Sequence, residues 1–441
     1  MVVKPDAGWR RNLRMGKLGL DLTASYLGTQ VKQLFSSKAM RGARRQANNR
    51  RNARLLRKEL QELRGPAMKL GQMLSMQTQM VPEEMVTELT ALQMQAPPMH
   101  PTLMRAQIKA ALGRYPEEIF RNFSDEPFAA ASLGQVHRAC GPDHEPLAVK
   151  IQYPAMAEVI RTDFQALRTL ALPARISRHL NGSMLAEIQR GILEETDYVR
   201  EAKNLEYFRR HLGDLAFVRV PAVYWEWTSN QVLTMSFVPG LHLDQFLARK
   251  PSQEIRDLVG RRLLELFVRQ LFQLRAMQAD PHSGNYLFDE DGTIGLVDFG
   301  CVKYFKKSTA DYFRKVWLNK CEDDRDKYFR LLEPMFERDR MPTGTSARNA
   351  MIEMTRFYNR LYPVDPKHAD ACFDFGDGAF LKEMIQLGNR LLRHRFLAPE
   401  FVFLGRAELG LYQMLHRLRA QVPTSKIARA SLAVAGLPEG V

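Results

Sequence analysis

Residues 277–300 read MQADPHSGNYLFDEDGTIGLVDFG, and the fold turns on this stretch. Asp280 is followed five residues later by Asn285, and Asp298 stands thirteen further on. Two carboxylates and an amide are hard oxygen donors and acceptors, the types that handle magnesium and phosphate. Asn285-Tyr-Leu-Phe288 and Ile294-Gly-Leu-Val297 are short apolar runs around the acidic turn Asp289-Glu-Asp-Gly292, the pattern of a β-hairpin. Asn285 precedes one strand and Asp298 follows the other, so the hairpin is expected to bring both to one end.

This is the order of a protein-kinase catalytic loop followed by its Asp-Phe-Gly loop. Gln278-Ala279 stands where His-Arg is usual before the catalytic Asp. Upstream, Ala129-x-Ala131-x-x-Gly134-x-Val136 aligns with the glycine-rich loop that covers nucleotide phosphates, two of its glycines being alanine. Fourteen residues after Val136 comes Lys150, in Ala148-Val-Lys150, the position of the strand lysine that grips α- and β-phosphates. Such a lysine needs a glutamate, and Glu195, Asp197 and Glu201 are the candidates. Met156 to Leu205 reads as largely helical, and on a helix positions 194, 197 and 201 share a face with 195 beside it. Phe217–Val220 and Gln231–Val238 read as strands, the second running into Pro239-Gly240 as a linker between lobes would. Ser236 and Val238 are the expected backbone contacts to adenine.

A different signal lies in Lys69-Leu-Gly-Gln72. The helix opened by Gly65-Pro66 carries Met68, Met73, Leu74 and Met76 on most sides, so it is expected to be buried. Lys69 and Gln72 on it then need partners. After Gly300 the chain becomes helical almost at once, from about Thr309, with no Ala-Pro-Glu. The groove that docks a peptide in ordinary protein kinases is therefore expected to be missing. Helices continue to about Gln421, and Pro423–Val441 reads as a loose tail.

The 441 residues suffice for one large core or two ordinary ones, and the apolar and charged fractions of 45% and 26% are those of a globular protein. Four scattered cysteines suggest neither a zinc site nor a disulfide framework, and fit a reduced, cytoplasmic compartment. Of the net charge of +15, Met1–Arg64 holds 16 Lys/Arg against four Asp/Glu. Without a zinc-finger or RNP-type signature, no nucleic-acid partner is expected. Leu20, Ala24, Leu27, Val31, Leu34 and Phe35 form an apolar stripe at helical spacing, and the basic run Lys38–Lys58 follows it. A packed helix with a solvated basic face is the simplest reading; contact with an anionic membrane surface is the sharper one. An Arg-rich, acid-poor start is also the character of a mitochondrial transit peptide. No uncharged stretch is long enough to span a bilayer, so membrane contact is expected to be peripheral.

Taken in order, KLGQ at 69–72, AAASLGQVH at 129–137, AVK at 148–150, ETDYVREA at 195–202, ADPHSGN at 279–285 and DFG at 298–300 resemble the UbiB/ADCK family of atypical kinases. The resemblance implies an α+β, protein-kinase-like bilobal fold with a family-specific N-terminal helical extension. It divides the chain into a basic amphipathic segment at 1–60, a KxGQ extension at 61–127, an N-lobe with inserted helices at 128–238, a helical C-lobe at 239–422 and the tail at 423–441. It also implies that Lys69 and Gln72 gate the site, with Lys69 pairing with Glu195 and Asp197, and that Glu201 is the partner of Lys150. The expected cofactors are ATP and Mg2+, with Asn285 and Asp298 on the metal and Asp280 as catalytic base or positioner. The expected role is an ATPase or small-molecule kinase in isoprenoid quinone or other prenyl-lipid metabolism. The rivals are a nucleotide-gated lipid or protein chaperone with little turnover, and a Ser/Thr protein kinase.

Overall fold

The structure is a computed structural model that describes residues 46–58 except 56, residue 88, 98–169 except 132, 182–278, 280, 282–318, 330, 345–363, 370–393 and 399–433. The KxGQ residues Lys69 and Gln72 and the apolar stripe Leu20–Phe35 lie outside them. The chain divides into two compact units, Met1–Lys203 with Ala222–Phe237, and Asn204–Pro221 with Val238–Val441.

The first unit is built on a four-stranded antiparallel sheet in the order β1-β2-β3-β5, from β1 (Asn122–Ala131), β2 (Gly134–Cys140), β3 (Pro146–Gln152) and β5 (Val232–Ser236). Strand β3 lies between β2 and β5 and is buried over nearly its whole length. Its alternate residues Leu147, Val149 and Ile151 join Met104, Ile108, Phe120 and Trp227 in one core. That core lies against α1 (Pro101–Leu112), which starts on the cap of Thr102 N–H donating to His100 Nδ1 and stops at Gly113, whose φ of 78° is open to glycine. The opposite alternation, Ala148, Lys150 and Gln152, presents polar groups to the other face. Pro127 sits on the edge strand β1 between two register shifts, where a missing N–H breaks no ladder. In the basic run, Arg54 and Arg57 reach Glu88 at 3.1 and 2.9 Å.

Among the described residues, three helices follow β3 before the next strand: α2 (Met156–Thr169), α3 (Gly182–Glu194) and α4 (Tyr198–Leu212). Here the structure corrects a sequence expectation. Glu195 and Asp197 are not on a helical face shared with Glu201; they lie in the turn between α3 and α4. Asp197 starts the new helix, its Oδ1 accepting from the N–H groups of Val199 and Arg200, both at 3.1 Å.

In the second unit, β4 (Val218–Arg219), β8 (Ile294–Leu296) and β7 (Tyr286–Phe288) form a small sheet, and β7 and β8 are the hairpin expected from the sequence. Its turn closes through Gly292 N–H on the Asp289 carbonyl, with Gly292 at φ 78°. The long helix α5 (Gln253–Arg269), apolar on its buried face, runs into a π-helical turn, Gln270–Leu274, and Arg275 at φ 55° redirects the chain into β6 (Ala276–Gln278). β6 pairs with β9 (Val302–Tyr304). The next helix, α6 (Lys307–Leu318), begins seven residues after Gly300, as the sequence suggested. Then come α7 (Thr345–Leu361), α8 (Gly378–Arg393) and α9 (Pro399–Leu418), which bury Phe357, Phe375, Phe380 and Tyr412. The loose tail expected from Pro423 onward is contradicted as far as Ala433. Residues Thr424–Ala433 form α10, which packs on α5 and buries Ala428, Ser431 and Leu432. Its small residues allow close packing while carrying little hydrophobic signal.

Candidate active site

Lys150 lies on the polar alternation of β3 and is 4% exposed. A buried ammonium demands a partner. Glu201, 2% exposed on the first turn of α4, receives it with both carboxylate oxygens at 2.7 and 2.9 Å. The Lys150 ammonium also stands 5.1 Å over the ring of Tyr198. Of the three acidic candidates, then, the structure brings Glu201 to Lys150. Glu195 is buried and Asp197 is exposed, three residues to the N-terminal side of the helix start and at its cap respectively. The turn that holds them is tied to β3 by Gln152, whose Nε2 donates to the Thr196 carbonyl at 2.9 Å. Beside this turn a groove of about 400 Å3 is lined by Arg190, Leu193, Glu194, Asp197 and Arg200.

The alanines are strand residues. Ala131 pairs with Gly134 and Ala129 with Val136 across the β1–β2 hairpin. Gly134 is required by space: a Cβ there would lie 2.2 Å from the Ile151 carbonyl oxygen and 2.9 Å from the Tyr198 hydroxyl. Buried behind the hairpin, Met99 N–H donates to Gln135 Oε1, Gln135 Nε2 donates to His137 Nε2, and His137 Nδ1–H donates to the Ser124 carbonyl, at 2.8, 2.6 and 2.7 Å. The N–H on Met99 fixes the Gln135 amide, and the amide fixes the neutral tautomer of His137. At the end of β5, Ser236 N–H donates to the Ala222 carbonyl at 2.8 Å, and its hydroxyl accepts from Ala222 N–H at 2.9 Å.

In the second unit the hairpin register places Val297 N–H on the Asn285 carbonyl at 3.2 Å, so Asn285 and Asp298 stand at the same end of β7 and β8. Asn285 Nδ2 donates to the Asp280 carbonyl at 3.3 Å, tying the two loop residues together. Asp298 Oδ1 accepts from Gly300 N–H at 3.0 Å. Phe299 is fully buried, its ring 4.9 Å from that of Phe208, and its carbonyl accepts from Asn204 Nδ2 at 2.9 Å. Burial, with a smaller contribution from the charge of Asp280, pushes the Tyr286 hydroxyl far above its usual range, so it stays protonated. Val238 packs against Gly295, where a Cβ would meet its Cγ1 at 2.8 Å.

Gln152, Tyr198 and Asn204 were not singled out from the sequence. Each is a polar group inside an otherwise apolar or helical run, which is the one signal the sequence held.

The profile of the ABC1 atypical kinase-like domain matches residues 91–332, more than half of the chain. The chain belongs to the ABC1 atypical kinase-like family. The rat protein named atypical kinase COQ8B, mitochondrial, is 32% identical over 84% of this chain and 70% of its own length. The chloroplastic Arabidopsis thaliana protein ACTIVITY OF BC1 COMPLEX KINASE 7 is 31% identical over 66% of this chain, which spans 42% of it. Among solved structures, one described as the complex of Rv3197 and erythromycin from Mycobacterium tuberculosis matches with a TM-score of 0.60 at 26% identity, over 83% of this chain and 92% of that one. This membership bears out the resemblance to UbiB/ADCK kinases and the α+β, kinase-like fold. It makes the chain an atypical kinase of the type represented by COQ8B. Among the described residues, no helix of this ABC1-family chain is long and apolar enough to cross a membrane.

Proposed function

We propose that the chain binds Mg-ATP and turns it over as an ATPase or small-molecule kinase, in support of isoprenoid quinone or other prenyl-lipid metabolism at a membrane surface. The observation that carries this reading is the buried, two-oxygen Lys150–Glu201 pair. A lysine held this way is fixed as a positive point for nucleotide phosphates. In this reading Ala129–Val136 covers the phosphates, and the Ser236 carbonyl and the Val238 backbone meet adenine. Asp280 orients the attacking water or hydroxyl and accepts its proton.

Asp298 and Asn285 would hold the magnesium. Both offer hard oxygens, and the Asp298 carboxylate is held in place by Gly300 N–H on its Oδ1. Among the described residues no cluster of three or more His, Cys, Asp or Glu could hold a metal. That suits magnesium, which binds through one or two protein groups together with phosphates and water. When bound, the metal supplies charge neutralisation on the phosphates. Lys69 and Gln72 would gate access, with Glu195 and Asp197 as the acidic partners. The names of the mitochondrial COQ8-type relatives favour the quinone setting.

The test is ATP hydrolysis by the purified protein, with and without Mg2+, anionic liposomes and prenylated phenols added in turn. Mg-dependent turnover stimulated by the lipid arms supports the reading, and Asp298→Asn should lower Mg-ATP affinity at least tenfold, about 1.4 kcal/mol. Nucleotide binding without turnover favours the chaperone, and peptide phosphorylation favours the Ser/Thr kinase.

A further inference from the structure

Gln278 is the last residue of β6, two positions before Asp280, and it is 5% exposed. A buried amide is costly unless its hydrogen bonds are made. The Gln278 backbone N–H donates to Gln270 Oε1 at 3.0 Å, and its side-chain Nε2 donates to the carbonyl of Asp298 at 2.7 Å. Its Oε1 is buried and accepts no hydrogen bond from the protein. Leaving a buried acceptor unmet is costly, and an apolar side chain of the same size would avoid that cost. Packing alone therefore argues against glutamine here; the donor to Asp298 is what the amide adds.

The surroundings point the same way. Gln270 is 3% exposed and belongs to the π-helical turn, a wider turn that breaks the register of α5 and is often found at functional sites. It reaches the backbone of β6 directly. At the other end, Asp298 has its carbonyl held by Gln278 and one carboxylate oxygen held by Gly300 N–H. Backbone and side chain are thus both restrained. Because Gln278 also leads straight into the Asp280 loop, one amide couples the position of Asp298 to that of Asp280.

We infer that Gln278, backed by Gln270, is a positioning residue for Asp298: its amide holds the Asp298 backbone so that the carboxylate is presented to a magnesium–nucleotide complex. The inference rests on the Mg-ATP reading above.

The test compares full-length protein with Gln278→Leu, which removes the side-chain amide and with it the donor to Asp298, and with Gln278→His, which restores an N–H. Hydrogen exchange is read without nucleotide. Gln278→Leu should speed exchange in residues 298–302 while 147–152 keep their wild-type rate. Nucleotide binding is then titrated with Mg2+ and, separately, in EDTA. Gln278→Leu should weaken the apparent Mg2+ affinity about tenfold or more, as loss of an outer hydrogen bond to a ligand does, with metal-free binding unchanged. Gln278→His should recover most of the loss. If Gln278→Leu does not fold, Gln278→Asn, which withdraws the same amide by one methylene, takes its place. Wild-type exchange and wild-type Mg2+ affinity in a folded variant overturn the inference, and so does faster exchange spread equally over both segments. A wild-type protein with no Mg-dependent nucleotide binding overturns the functional reading, and with it the positioning role.

Discussion

Gly134 and Ile151 approach so closely that a Cβ on Gly134 would lie 2.2 Å from the Ile151 carbonyl oxygen. The obstacle is backbone of the central strand, which cannot swing aside as a side chain can. Gly134→Ala should therefore push β2 off β3 and destabilise the protein by about 1–3 kcal/mol. Chemical denaturation measures it. Because Ala131 pairs with Gly134 in ordinary strand backbone, Ala131→Gly should lower stability far less.

In the Lys150–Glu201 pair, removing one partner is worse than removing both. Lys150→Met leaves a buried carboxylate and should cost about 3–5 kcal/mol, whereas Lys150→Met with Glu201→Leu should recover much of that. Nucleotide binding should stay lost in both. A double-mutant cycle by urea unfolding, with binding read in parallel, checks the separation.

Asp197 caps a helix and also carries the charge assigned to the gate. Asp197→Asn keeps an oxygen for the Val199 and Arg200 N–H groups but removes the charge, so stability should hold. Asp197→Ala removes both and should cost about 0.5–2 kcal/mol. If Asp197 gates through Lys69, autophosphorylation should change in both variants, while only the alanine variant melts lower.

His137 predicts a pH dependence. Burial holds its imidazole below the ordinary range, outweighing the Ser124 hydrogen bond and the Asp125 charge, which push it up. The unfolded chain therefore binds this proton more readily than the folded one. The stability that His137 contributes is fully present above the ordinary imidazole value, about 6.5, and is lost as pH falls below it toward the folded value. Protonation would also turn the Nε2 acceptor into a donor facing the Gln135 amide. Urea midpoints from pH 8 to pH 5.5 should fall for the wild type and fall less for His137→Asn, with each unit of depression worth about 1.4 kcal/mol.

By itself, the sequence determined the parts whose information is local. The β7–β8 hairpin was legible because apolar runs flank an acidic Gly turn, and the hairpin alone carries Asn285 and Asp298 to one end. The Lys150 strand was legible because an apolar run interrupted by one lysine has few other uses. Tertiary structure decided the rest, since the answers lay in residues remote along the chain. Helical spacing ran on across Glu194–Asp197, and nothing local marked the turn except the capping preference of Asp197. Local spacing left Glu195, Asp197 and Glu201 open; only the family resemblance pointed to Glu201, and its contact with Lys150 exists only where α4 lies against β3. Helix α10 was missed because its small residues matter only through their fit against α5. Gln278 and Asn204 find their partners twenty and ninety-five residues away. A buried polar side chain is read by what satisfies it, and hydrogen bonds across such separations exist only once the backbone has been folded to make them.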